Sequence, residues 1–203
     1  ISQPTEYGTL YSLQELEELS AVCRERDLKL FIDGARLAYA LASPANDVTL
    51  ADLARLTDVF YIGGTKCGSL FGEAVVIPER GSIRQFVTQM KQHGALLAKG
   101  RLLGVQFEAL FEDGLYLTIG EPAVTATARI REALKRAGYV VTMDSPTNLT
   151  FVALDQAGHE RLSDKVRYSI WETLPDGRYL ARIGTSWATP EEDVVAFEQA
   201  LAR

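Results

Sequence analysis

Apolar positions recur along this chain in two rhythms. Leu13, Leu16, Leu19, Val22 and Cys23 follow the spacing of one helix face. Ser12-Leu13-Gln14-Glu15, just ahead of them, is a capping-box pattern that predicts where this helix opens. Cys23 then reads as a small core residue on that face. Leu28 to Ile32 is a short continuous apolar run and predicts a buried strand, halted at Asp33-Gly34-Ala35-Arg36. Helical character resumes over Leu37 to Leu41, and Pro44 ends it. Thr49, with Asp52 three residues on, caps a short helix through Leu56. Val59 to Ile62 predicts a second strand that runs into Gly63-Gly64-Thr65-Lys66-Cys67-Gly68. Glu73 to Ile77 predicts a third, closed by Pro78, which has no N–H for a ladder.

Strands separated by helical segments imply crossover connections and a mostly parallel sheet. Two helical stretches follow, Ser82 to Met90 and Leu96 to Phe111, interrupted near Gly94. Gly114 to Gly120 reads as a break, and a domain boundary is expected there, dividing residues 1–115 from 116–203. Beyond it, Ala123 to Ala137 predicts a helix with Gly138 as its left-handed stop. Tyr139 to Met143, Leu149 to Leu154, Arg167 to Thr173 and Arg178 to Ile183 predict strands. His159 to Val166 reads as helical, and Pro190 to Ala202 as a closing helix capped by Thr189. The fold class expected is therefore α/β, with a mostly parallel sheet followed by a small α+β layer.

Composition narrows the function without naming it. The 203 residues carry a net charge of -6 and are 47% hydrophobic, ordinary for a globular protein. No basic stripe tracks a phosphate backbone, so neither nucleic acid nor an anionic membrane is an expected partner. No run approaches the roughly 18 apolar residues of a membrane span. The start, Ile1-Ser2-Gln3-Pro4, lacks the charged end and apolar segment of a signal peptide and lacks an initiator methionine. It reads as the middle of an α/β alternation, which suggests a fragment. Two distant cysteines make neither a disulfide framework nor a metal site, and a reducing cytoplasm fits them best.

In parallel sheets, ligands bind beyond the carboxyl ends of the strands. Asp33 and Lys66 fall at two successive such ends. Lys66 alone reads as a solvated loop lysine, and Asp33 alone as a helix cap. Together they suit an aldehyde cofactor such as pyridoxal phosphate. That chemistry needs a lysine to form an imine and a carboxylate to keep the pyridine nitrogen protonated. Amino-acid substrates add an arginine for the α-carboxylate. Arg36 has two readings, such a ligand or an ion pair with Asp33 or another nearby acid. Arg182, mid-strand between Ala181 and Ile183, faces either solvent or a cleft between the two domains. Thr65 offers a hydroxyl near the cofactor. Cys67 reads as a space-filler, and His93 and His159 as surface residues without metal-ligand spacing; no metal is expected. No Gly-x-Ser-x-Gly elbow or Gly-x-Gly-x-x-Gly fingerprint occurs, and Gly63-Gly64-Thr65-Lys66 has the wrong spacing for a phosphate loop.

Glu6-Tyr7-Gly8-Thr9-Leu10-Tyr11-Ser12, Asp33-Gly34-Ala35-Arg36-Leu37, Gly63-Gly64-Thr65-Lys66-Cys67-Gly68 and Thr185-Ser186-Trp187-Ala188-Thr189 occur in this order. In them the chain resembles low-specificity L-threonine aldolases. These belong to the β-eliminating-lyase group of aspartate-aminotransferase-like pyridoxal phosphate enzymes. The resemblance implies that residues 1–115 are the C-terminal part of the cofactor-binding large domain and 116–203 the small α+β domain. It implies retro-aldol cleavage of threonine or allo-threonine to glycine and an aldehyde. Lys66 then forms the imine, Asp33 pairs with the pyridinium nitrogen, and Arg36 and Arg182 hold the substrate carboxylate. Lys91, Lys99 and Arg101 lie where family members place cations that reach across a subunit interface, which implies a homo-oligomer, a dimer or tetramer built through the large domain. Family members carry a long preceding segment with the phosphate cradle and ring-stacking residue, so the chain by itself is expected to bind cofactor poorly and catalyse little. Two other readings remain at this stage, a β-eliminating lyase of the same fold and a non-catalytic assembly module.

Overall fold

The protein is described over residues 1–202 by a computed structural model. Helix α1 (Leu13–Glu25) opens as its sequence requires: Ser12 Oγ accepts the Glu15 amide at 3.2 Å, and the Glu15 carboxylate accepts the Ser12 amide at 2.8 Å. β1 (Phe31–Ile32), α2 (Leu37–Leu41), α3 (Leu50–Leu56) and β2 (Val59–Ile62) follow, then β3 (Ala74–Val76). Thr49 and Asp52 form the same reciprocal cap on α3. β1 and β2 pair in parallel, with Ile32 opposite Phe60. Ser2 bridges Asp33 in parallel on the other side of β1. β3 instead runs antiparallel to β2. Only the loop from Gly63 to Glu73 joins them, too short for the helical crossover that a parallel return needs. Leu16, Ile32, Leu53 and Phe60 meet in one buried core beneath this sheet.

Two expectations shift here. The strand expected over residues 28–32 shrinks to two residues, because the Asp58 carboxylate takes the Leu30 amide at 2.9 Å ahead of the ladder. Cys23 is half-buried rather than core. Leu16 and Ser20 are the α1 residues turned inward, Ser20 Oγ bonding the Leu56 carbonyl at 2.7 Å, and Val22 is left 46% exposed.

The chain continues through α4 (Phe86–Gln92) and α5 (Arg101–Phe111). Both are shorter than their patterns predict; α4 cannot begin earlier because Gln85 takes a left-handed conformation, φ 51°. The expected break over residues 114–120 contains a helical turn, α6 (Leu115–Thr118), held by the burial of Tyr116. Then come α7 (Glu121–Arg136), β4 (Val140–Val141), β5 (Leu149–Leu154), α8 (Gln156–Ser163), β6 (Ser169–Thr173), β7 (Tyr179–Gly184) and α9 (Glu191–Ala202). Gly138, at φ +82°, ends α7 as its sequence predicts. These later strands form an antiparallel sheet in the order β4-β5-β7-β6. Val152, Leu154, Ala181 and Ile183 pack from it against Ile130 and Leu134 of α7 and Val194 and Leu201 of α9. The first core reaches into this half of the chain through Tyr116 and Ala123.

The turns after β1 and β2 interlock. The Gly63 amide donates to the Gly34 carbonyl at 2.9 Å. A Cβ on Gly34 would collide with the Tyr61 carbonyl oxygen, and one on Gly63 with the Ala35 carbonyl. Gly34→Ala is expected to lower stability by roughly 1–3 kcal/mol, read as a fall in the urea midpoint at unchanged slope.

Candidate active site

The interlocked turns bring Asp33 and Lys66 to the carboxyl ends of paired strands. Asp33 Oδ1 accepts the Ala35 amide at 3.0 Å and the Tyr61 hydroxyl at 2.5 Å. Burial first, and then the Asp33 carboxylate, push the Tyr61 phenol well above its ordinary range, so it stays protonated and remains a donor. Asp33 Oδ2 has no partner among the described residues. The lysine loop is shaped from three sides. Glu73, at the foot of β3, accepts the Gly64 amide at 2.5 Å and the Thr65 hydroxyl at 2.8 Å. Tyr116 donates to the Gly63 carbonyl at 2.8 Å. Tyr39 donates to the Lys66 carbonyl. The Lys66 side chain itself is exposed and forms no ion pair among the described residues.

The second sheet supplies the opposite wall. Lys66, Thr65, Arg36 and Tyr39 line a cavity of about 500 Å³, facing Asn148, Arg182 and Trp187. Tyr39 ties the two walls together, since its oxygen also accepts the Trp187 amide at 3.3 Å. Burial pushes its pKa up to about 12, so this hydroxyl too stays a donor. Arg182 lines this cavity. Its guanidinium lies 4.4 Å from the centroid of the Trp171 ring and makes no hydrogen bond or ion pair among the described residues. Arg36 pairs with Glu6 rather than Asp33, at a long 3.9 Å. Asn148 donates from Nδ2 to the Thr185 carbonyl at 2.7 Å, which leaves its buried Oδ1 without a donor.

Of the residues singled out from sequence, the cavity thus collects Arg36, Thr65, Lys66 and Arg182. Asp33 stands behind it at the neighbouring strand end. Lys91, Lys99 and Arg101 lie apart, exposed on α4, α5 and the turn between them. Cys67 is fully buried, and burial pushes its thiol up to about 11, which suits a space-filler. His159 departs from its surface expectation: it is half-buried, with Nδ1 2.7 Å from the Tyr168 hydroxyl and its ring centroid 5.1 Å from that of Tyr179. No cluster of metal-ligating side chains occurs among the described residues. A second cavity of about 580 Å³ opens around Cys23, Lys29 and Asp58, at the other ends of the strands, away from Asp33 and Lys66.

Sequence reasoning missed Tyr39, Glu73 and Asn148. None carries a motif signal. Tyr39 reads as a helix-core residue and Glu73 as the first residue of a strand, and only the folded chain brings each to the lysine loop.

This donor set fits a pyridoxal phosphate ring. An amine with no ion pair, a carboxylate at the adjoining strand end with one oxygen unpartnered among the described residues, and two guanidiniums for an anion are the groups it needs, and Asn148 Oδ1 is a buried acceptor without a donor.

Comparison with known proteins places the chain in a family. The family model for beta-eliminating lyases matches residues 1–157. A low-specificity L-threonine aldolase of a Pseudomonas species is 39% identical over 200 residues, covering 96% of this chain and 56% of its own length. The chain thus spans little more than half the length of the curated relatives it matches. The solved structure of a threonine aldolase from Leishmania major superposes with a TM-score of 0.94 at 45% identity, covering 100% of this chain and 59% of that one. An aspartate aminotransferase variant of Thermus thermophilus, in complex with tryptophan, matches at a TM-score of 0.70 and 17% identity over 100% of this chain and 55% of its own, a likeness of fold.

Two outcomes follow from the loop geometry. Tyr39→Phe, which removes the hydroxyl shared by Lys66 and Trp187, is expected to cost about 1–3 kcal/mol in chemical denaturation. In the folded protein at pH 8 a thiol reagent should label Cys23 and spare Cys67, whose thiolate forms only near pH 11; labelling of both without denaturant would contradict the buried geometry.

Proposed function

The chain belongs to the beta-eliminating lyase family, and from that premise we propose that it forms part of a pyridoxal-phosphate-dependent lyase that cleaves threonine-type β-hydroxy-α-amino acids to glycine and an aldehyde. The observation that carries this reading is the single cavity in which Lys66 faces Arg36 and Arg182, with Asp33 fixed at the adjoining strand end. The threonine aldolase names of its relatives, at 39% and 45% identity, support it.

When bound, the cofactor supplies an electron sink for the pair released as Cα–Cβ breaks. Each residue then has a task set by its surroundings. Lys66 would hold the cofactor through Nζ, on a loop that Glu73, Tyr116 and Tyr39 keep in one shape. Tyr61 and the Ala35 amide hold the Asp33 carboxylate by Oδ1, and its charge would keep the pyridine nitrogen protonated when the cofactor is bound. Thr65 lines the same cavity, and its hydroxyl steadies the loop through Glu73. Arg36 and Arg182, both lining the cavity, would bind the substrate carboxylate and so orient the substrate for cleavage at Cα–Cβ.

Residues 1–115 read as the C-terminal part of the large domain and 116–203 as the small domain, with the substrate between them. Assembly into a homo-oligomer, a dimer or tetramer, fits the apolar surface of Val87, Leu97, Leu102 and Val105, each 56–59% exposed, beside Lys91, Lys99 and Arg101. These three cations would then reach a neighbouring copy's site. No helix among the described residues is long and apolar enough to cross a membrane, and a cytoplasmic amino-acid lyase is the setting this reading implies.

Borohydride reduction of the chain with its upstream segment restored, after incubation with pyridoxal phosphate and followed by peptide mapping, tests the assignment. The adduct should map to Lys66 and vanish in Lys66→Ala; an adduct on Lys91 or Lys99 would sink it. Product analysis separates the two lyase chemistries, since glycine with an aldehyde marks retro-aldol cleavage, and ammonia with a keto acid marks β-elimination.

A further inference from the structure

β6 does not pair regularly with β7. Ser169 lies opposite Arg182 and Ile170 opposite Ala181, but Glu172 rather than Trp171 lies opposite Leu180. Trp171 is therefore the extra residue of a bulge. In a regular strand, neighbouring side chains point to opposite faces. The bulge relaxes this alternation, and bulges re-aim side chains in just this way. Trp171 and Glu172 consequently both reach partners around Tyr7 and Arg182. The Glu172 carboxylate accepts the Tyr7 hydroxyl at 3.2 Å. The Trp171 ring meets the Tyr7 and Phe151 rings edge-on, each at 6.2 Å between centroids. Its other contact is the Arg182 guanidinium, 4.4 Å from its centroid.

The Arg182 guanidinium thereby sits over an aromatic face. Its N–H edge makes no hydrogen bond or ion pair among the described residues. An aromatic platform suits this task, because attraction to the indole restrains the cation without consuming a donor. A carboxylate partner would restrain it equally well but would compete with the substrate. The platform is anchored in turn. Tyr7 belongs to the turn at residues 5–9, whose Gly8 carbonyl accepts the hydroxyls of Ser145 and Thr147 at 3.1 and 3.0 Å. Gly8 takes φ +76°, and a Cβ there would run into the Ser145 hydroxyl.

We propose that Trp171, aimed by the β6 bulge and braced by Tyr7, is the positioning residue for Arg182, fixing the guanidinium face so that its N–H edge is free for the substrate carboxylate. This rests on the reading of Arg182 as a carboxylate ligand. It accounts for Tyr7 and its turn, a sequence motif to which the proposed chemistry assigns no role.

The test uses the holoenzyme, with L-threonine turnover and calorimetric binding of glycine as readouts. Trp171→Leu should raise KM for threonine and Kd for glycine by about two- to thirtyfold, with kcat changed far less. Progressively fluorinated tryptophans at position 171 keep the shape of the ring while weakening its face, so they answer the question even if the leucine variant does not fold. KM and Kd should climb with each added fluorine. Arg182→Gln separates this inference from the reading beneath it. If Arg182→Gln raises both constants while the fluorinated series stays level, the role of Trp171 is overturned and the carboxylate site stands. If Arg182→Gln changes neither, both fall. A Trp171→Leu protein that loses thermal stability but keeps its KM likewise overturns the proposal.

Discussion

The amide of Gly63 reaches the carbonyl of Gly34 at 2.9 Å, and this close approach of two turns underlies the candidate site. Two parallel strands alone would place Asp33 and Lys66 on one edge without fixing their relation. The backbone contact does fix it, and it demands glycine where a Cβ would strike the Tyr61 or Ala35 carbonyl. The residues around the lysine reinforce the same contact: Tyr116 bonds the Gly63 carbonyl, and Glu73 bonds Gly64 and Thr65. Lys66 is left as an exposed side chain, unpaired among the described residues, on a tightly bonded loop, the arrangement a group needs if it is to meet a planar ring in one orientation.

Tyr39 carries that rigidity across to the other wall. Its hydroxyl lies between the Lys66 carbonyl and the Trp187 amide, so the lysine loop and the end of β7 share one buried group. Around the cavity the acceptors and cations are arranged unequally. Asp33 and Asn148 each keep an oxygen unpaired, whereas Arg36 and Arg182 are only loosely held, one by a distant Glu6 and one by an aromatic face. A buried polar atom without a partner, as Asn148 Oδ1 is, is costly within a fold unless a ligand completes it.

Elements governed by local pattern were legible in the sequence. Capping residues located α1 and α3, the continuous apolar run located β2, and Gly138 located the end of α7. The pairing of Asp33 with Lys66 followed from strand order alone, because ligands gather at the carboxyl ends of parallel strands. Local pattern failed where a distant group intervened. Asp58 shortened the first strand by taking the Leu30 amide, and Tyr116 made a helical turn of an expected break. His159 was drawn inward by two tyrosines that lie beyond its own helix.

The sequence by itself determined the α/β order, the two glycine turns and the chemical types at the site, since each depends on spacing and on which side chains a short segment can hold. The tertiary structure alone decided that Arg36 faces Glu6 instead of Asp33, that Arg182 opens into the cavity, that Tyr39 and Glu73 bond the lysine loop, and that Trp171 lies against Arg182. Arg36 with Glu6 and Tyr39 with Lys66 join residues far apart in the chain, while Glu73 and Trp171 reach their partners only because an intervening turn folds back. No local period encodes such a meeting; it exists only once sheet, turn and helix have packed.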